Sequence, residues 1–352
     1  MPRPIDPSRR SLPFQEWPAN DQNAWSQAIQ PGDILDGQGP AAHWAERTKE
    51  TNIQHYGRWL GWLSWTSRLD PTVCPAGRVT RDAVGNYIVH LRDIVAPRTQ
   101  LSMLVGLKVT INAMASDLSW RWLQDACNRV QRIATPIRNK RLLVRSSEEI
   151  YLTALKELNR TISNTPDLKA AIAYRDALML ALLTARPLRV KNMTAIETGR
   201  HLLHHGNEWY LTFEADEVKN KQPLDFTVPM SLVPYLEHYL AVVRSVFPGA
   251  SESRLLWLNQ YGSNLGRQFV YWRITKLTKR LFGRAINPHL LRDCAATTLA
   301  VEAPEIVKAA RPLLGHRHAE TTERYYIQAD QLTASRRLND ILVDLKTQTM
   351  ET

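Results

Sequence analysis

Cysteine is scarce: three residues in 352, at Cys74, Cys127 and Cys294, each isolated from the others. With no C-x-x-C spacing and no even-numbered framework, neither a disulfide scaffold nor a thiolate zinc site is suggested, and the usage fits a reducing cytosol. Long apolar runs are also missing. The longest, around Ala177–Ala185, falls well short of the roughly 20 residues that span a bilayer. The opening MPRPIDPSRRSLPFQEWP is proline-rich and polar where a secretory leader would be apolar. The expectation is a soluble, cytoplasmic protein with no membrane partner. Acid is in short supply as well: 34 Asp and Glu stand against 45 Lys and Arg, a formal net charge of +11 and a pI near 9.7. Such an imbalance points to a polyanion, because lysine and arginine gain affinity by releasing the counterions condensed on a phosphate backbone.

The distribution of the charge says more than its total. Residues 129–145, RVQRIATPIRNKRLLVR, hold Arg129, Arg132, Arg138, Lys140, Arg141 and Arg145 without one acid, and 273–284, RITKLTKRLFGR, repeats the trait. The plain alternative for each is a solvated helix face. The length suits two domains. Residues 1–40, rich in proline and poor in periodicity, read as an N-terminal extension, mobile or loosely packed. From 41 to 132 the pattern is helical: Tyr56, Trp59, Leu60 and Leu63 recur at i, i+3, i+4 and i+7, as do Val84, Tyr87, Ile88 and Leu91. Two further helices are expected over 98–115 and 119–132. Trp59, Trp62 and Trp65 could stack on bases, but their helical spacing favours a core role. Residues 133–145 form a basic linker, and a second domain with a C-terminal tail helix takes 146–352. In it Ser146 caps a helix, another helix over 172–184 stops near Pro187, and strands at 208–214 and 224–228 flank a polar turn. The fold class is mainly α with a small antiparallel β-sheet, α+β in the second domain.

Five polar residues of the C-terminal half stand out: Arg189, His289, Arg292, His316 and Tyr325, with Lys219 in the gap. They lie in ARPLRVKNM, EVKNKQPLDFTVP, NPHLLRDCAATTLA and LLGHRHAETTERYYI. A cationic set ending in a phenol suits phosphodiester chemistry without a metal. Guanidinium groups meet the charge that gathers on phosphorus oxygens, and a tyrosine can serve as covalent nucleophile. His289 and Arg292, at i and i+3 after Pro288, share one helix face.

The segments together resemble the tyrosine recombinases of the phage-integrase family, over roughly residues 145–345. The family pattern is an arginine after a short helix, a lysine in a β-turn, an H-x-x-R pair, a histidine after L-G and a tyrosine nine residues later. Arg189, Lys219, His289 with Arg292, His316 and Tyr325 take those places. The resemblance implies a two-domain recombinase that cuts and rejoins double-stranded DNA recombination sites through a 3′-phosphotyrosyl link. It implies no cofactor and no metal, a homotetramer on DNA, and room for accessory DNA-bending or directionality proteins. Lys219 is chosen because VKNKQPLDFTVP resembles the family's T-K-x-x-R-P-L-x-F run, with Lys221 the competitor. Tyr325 is chosen over Tyr326 by its interval from His316. Asn192 departs from the pattern, since an acid often follows the first arginine by three. His201, His204 and His205 are expected in a strand and turn, exposed, and the His316–His318 pair lacks companions for a metal. Two other readings remain: a type IB topoisomerase-like relaxase, and a non-catalytic DNA-binding regulator. A mobile-element integrase is favoured over a resolver of chromosome dimers. Leu338, Ile341, Leu342 and Leu345 give the tail an apolar stripe that would dock on its own domain or on a neighbouring protomer.

Overall fold

The computed structural model describes residues 6–33, 37–134 and 144–302. The chain divides into two compact units, Met1–Asn139 and Lys140–Thr352. It is mainly helical, and its three-stranded antiparallel sheet lies in the second unit. Among the described residues no helix is long and apolar enough to cross a membrane.

The first unit is built from α1 (Ala19–Ala28), α2 (Glu46–Trp65), the short α3 (Pro75–Arg78), α4 (Arg81–Ile94), α5 (Pro97–Met114) and α6 (Arg121–Ile133). Local signals set the ends. The Thr80 hydroxyl accepts from Ala83 N at 3.2 Å to open α4, and Pro97 starts α5, where no amide hydrogen is needed. The periodic residues face inward: Tyr56, Trp59, Leu60 and Leu63 of α2 meet Tyr87 and Leu91 of α4 and Leu104, Leu107 and Ile111 of α5 in one core. Tyr87 stands edge-on to Trp59, with ring centroids 5.1 Å apart. Trp59 and Trp62 are buried, while Trp65 is 50% exposed beside His90.

The expectation of a mobile or loose extension over 1–40 does not hold for its described part. Leu12, Trp17, Trp25 and Ala28 are buried, and all but Ala28 belong to this same core. Two features of α2 bring the segment in. Gly57 and Gly61 present bare backbone, and a Cβ at either would run into the carbonyl of Leu12 or Arg10; Leu12 N donates to the Gly57 carbonyl at 2.9 Å. The second is electrostatic. Asp21 is fully buried, takes the Tyr56 hydroxyl at 2.6 Å, and is forked by Arg78 at 2.7–2.9 Å.

The second unit centres on α8 (Leu168–Ala185), packed against α7 (Ser147–Thr161). Ser146 caps α7 by accepting from Glu148 N at 3.2 Å, and Asp167 caps α8 by accepting from Ala170 N at 2.7 Å. Every residue from Tyr174 to Thr184 is buried, the mark of a helix enclosed on all sides. After α9 (Val190–Thr194) come β1 (Leu202–His205), β2 (Glu208–Phe213) and β3 (Leu224–Thr227), in that order. Leu211 pairs with Leu202 on one side and Phe226 on the other. Then α10 (Val233–His238) runs on through a π turn over 239–243, followed by α11 (Arg267–Phe282) and α12 (Pro288–Glu302). α11 ends at Gly283, whose φ of +68° suits glycine.

Two sequence expectations are corrected here. In the basic stretch 273–284, Arg273 pairs with Asp176, which Arg175 also holds at 2.7 Å, and Arg280 pairs with Glu157, which Arg160 holds at 2.7 Å. Part of that charge therefore ties α11 to α7 and α8. Secondly, His201, expected exposed, is 3% exposed and stacks on Phe213 at 5.0 Å, whereas His204 and His205 are at the surface.

Candidate functional site

Arg189 gets its place from a helix that cannot continue. α8 stops at Ala185, because the ring of Pro187 removes a donor and disfavours a helical residue before it. The chain turns extended, and Arg189 becomes the residue that opens α9, its carbonyl accepting from Met193 N at 2.9 Å. The Arg189 guanidinium is half-buried, and loss of water pulls its pKa below the ordinary arginine value, a direction that a bound anion would reverse. Arg186 holds the same loop to the sheet, donating from Nε to the Thr227 carbonyl at 2.8 Å.

The H-x-x-R pair lies on the first turns of α12. Asn287 accepts from Leu290 N at 2.9 Å through its side chain, and Pro288 takes the first helical position. His289 is at the surface; Arg292, one turn on, is 8% exposed. Arg292 Nη1 donates to the carbonyl of Pro187, two residues before Arg189. That bond brings the second arginine onto the loop that carries the first. Nearby Cys294 is buried, and desolvation pushes its thiol up to about 11, so it is no reactive thiolate.

Lys219 and Lys221 both sit exposed in the turn between β2 and β3, so the choice between them stays where the sequence left it. Lys221 adopts a left-handed backbone, φ +57°. The base of the turn is fixed. Val218 is buried in the unit's core. The Glu217 carbonyl accepts from Lys191 Nζ at 3.3 Å and Asn192 Nδ2 at 3.4 Å, both on α9. Asn192, the departure from the acid of the family pattern, is buried and fastens the arginine's helix to the lysine's turn. The Glu217 carboxylate takes Arg200 at 2.6 Å, His201 at 3.1 Å and Glu214 N at 3.0 Å. Burial works to raise its pKa, but these donors outweigh it and hold the carboxyl below the ordinary range. Glu197 N donates to His201 Nδ1 at 3.1 Å, which leaves Nε2 as the nitrogen that donates to Glu217.

The described residues thus gather Arg189, Arg292 and the lysine turn around one loop, with His289 on the helix that brings Arg292. His316, Tyr325 and the tail stripe lie outside the described residues. The sequence reading passed over Arg186 and Glu217, whose only signals were an arginine beside Pro187 and an acid two residues before Lys219. Among the described residues no group of three His, Cys, Asp or Glu could hold a metal ion.

Known proteins resemble this chain in sequence or in fold. The tyrosine recombinase XerD of Staphylococcus epidermidis is 31% identical over 181 residues, which cover 50% of this chain and 59% of that protein. The chain thus matches less than two thirds of that relative's length. Among solved structures, the Tn1549 transposon integrase in complex with transposon right end DNA aligns with a TM-score of 0.59 and 14% identity, over 91% of this chain and 99% of that one. XerH site-specific recombinase bound to difH substrate aligns with a TM-score of 0.55 and 15% identity, over 82% and 78%. At such identities these two likenesses are of fold. The model of the phage integrase family, however, matches residues 150–332, from the start of α7 past α12 and over more than half of the chain, and on that span the protein belongs to the phage integrase family.

Proposed function

We propose that the protein is a site-specific DNA recombinase, the integrase of a mobile element, which cuts and rejoins double-stranded DNA through a 3′-phosphotyrosyl intermediate. The observation that supports this reading is the seat of Arg292 on the carbonyl of Pro187, two residues before Arg189, which ties the helix of the second arginine to the loop that carries the first. A pair of guanidinium groups suits the non-bridging oxygens of one phosphodiester. In this reading Tyr325 attacks phosphorus, and its proton passes to His289 or to solvent. Lys219 gives a proton to the departing 5′ oxygen, and His316 hydrogen-bonds the phosphoryl group. The phosphodiester energy is kept in the tyrosyl link, so a 5′-hydroxyl of a partner duplex reverses the step without ATP. Exchange among four DNA arms calls for four protomers. The cations take the charge-stabilising role that a metal ion fills in other phosphoryl-transfer sites.

The test is covalent trapping on a nicked suicide substrate in EDTA. Wild-type protein should form the adduct with the chelator present, and Tyr325→Phe should form none while binding DNA as before. An adduct that persists in Tyr325→Phe and vanishes in Tyr326→Phe would move the nucleophile by one residue; a divalent-ion requirement for cleavage itself would sink the assignment.

A further inference from the structure

We infer that Glu217 is a positioning residue: it holds the turn between β2 and β3 so that Lys219 is presented to the leaving oxygen, and it couples that turn to the helix opened by Arg189. The inference rests on the reading of Lys219 as the proton donor.

An exposed lysine at a hairpin tip has four rotatable side-chain bonds on a backbone that itself frays. Here the backbone two residues earlier is gripped on two sides. The Glu217 carboxylate draws in three donors: Arg200 at the surface, the buried His201, and the amide of Glu214 three residues earlier in the turn. Its backbone carbonyl receives Lys191 and Asn192 of α9. Val218, buried in the core, separates this anchor from Lys219. His201 is itself oriented by the Glu197 amide and the face of Phe213. A shift of α9 and a shift of the lysine turn are therefore mechanically joined through one residue. Removing the carboxylate takes away the acceptor of three donors at the turn and does not touch the bond from Arg292 to the Pro187 carbonyl. The loss should fall on proton delivery.

A substrate whose bridging 5′ oxygen is replaced by sulfur separates the two effects. As the tyrosyl oxygen bonds to phosphorus, the P–S bond breaks and its electron pair departs on sulfur, a leaving group that needs no proton. On the oxygen substrate, Glu217→Ala should slow cleavage by roughly ten- to a hundredfold, the scale of a misplaced catalytic group. On the sulfur substrate it should cleave at close to the wild-type rate, with DNA binding unchanged. Glu217→Gln, which keeps an acceptor oxygen for Arg200 and His201, should fall between wild type and Glu217→Ala on the oxygen substrate. Equal slowing of Glu217→Ala and Glu217→Gln on both substrates, with Lys219→Ala rescued by sulfur, would overturn the inference and leave the lysine's role standing. A Lys219→Ala protein that gains nothing from sulfur would overturn the lysine's role, and the inference with it.

Discussion

Asp21 keeps a carboxylate in the dry interior of the first unit, and the groups that hold it come from 35 and 57 residues away, Tyr56 and Arg78. Their side chains are equally withdrawn from water, 3% exposed for Arg78 and 0% for Asp21. A buried pair of this kind adds little net stability, since desolvation offsets most of the attraction, but breaking it strands a charge. Asp21→Asn should therefore destabilise the first unit by about 3–5 kcal/mol, read as a fall in the urea midpoint with the slope unchanged. A loss under about 1 kcal/mol, the worth of an exposed pair, would mean that Arg78 finds water when its partner goes. Nothing local in the sequence marks this pair. Asp21 sits in a stretch whose prolines suggest a loose arm, and its partner lies beyond the longest helix of the unit.

Elements show where such reading succeeds. The stripe of Tyr56, Trp59, Leu60 and Leu63 was legible because a helix repeats its inward face every three to four residues. The start of α12 was legible because Pro288 suits a first helical position. What escaped depends on partners far along the chain. His201 is buried against Phe213 of β2 and bonds Glu217 in the turn that follows. Arg273 and Arg280 meet acids on α8 and α7 about a hundred residues back, so a run of cations looked freer than it is. The segment at 10–12 is held by two glycines of α2, which read in sequence only as weak helix formers. That last point yields a prediction whose sign is contested. Gly61→Ala should favour an isolated helix by about 1 kcal/mol. In the folded protein the added methyl meets the Arg10 carbonyl, and overpacking of that kind costs about 1–3 kcal/mol. We expect a lower melting temperature and faster tryptic cleavage at the exposed Arg9 and Arg10. A higher melting temperature would show that the segment yields without loss.

Across the whole molecule, the formal charge of +11 divides into cations that serve the fold and cations that, under the proposed function, are left for DNA. Arg273 belongs to the first class, since it holds Asp176. A protein that neutralises six to ten phosphates loses roughly 10³–10⁵ in affinity between 50 and 200 mM salt, and each phosphate contact removed flattens that dependence by about one power of the salt concentration. Arg273→Ala should leave the salt slope of DNA binding as it is and lower stability by about 1.5–3 kcal/mol, the worth of a hydrogen bond to a charged group. Gel shifts across a salt series, beside a thermal melt, separate the outcomes. A flatter slope with an unchanged melt would place Arg273 on the DNA.

The carbonyl of Pro187 bears one more consequence. A long arginine side chain left to rotate carries about 2 kcal/mol of rotamer entropy, which it must surrender when a ligand fixes it. Arg292 surrenders it during folding, because a backbone oxygen on a residue of fixed φ already points its guanidinium. Under the proposed function, an incoming phosphate would meet a donor fork set in advance, with the ordering cost that would weaken binding moved out of the encounter and into the stability of the second unit.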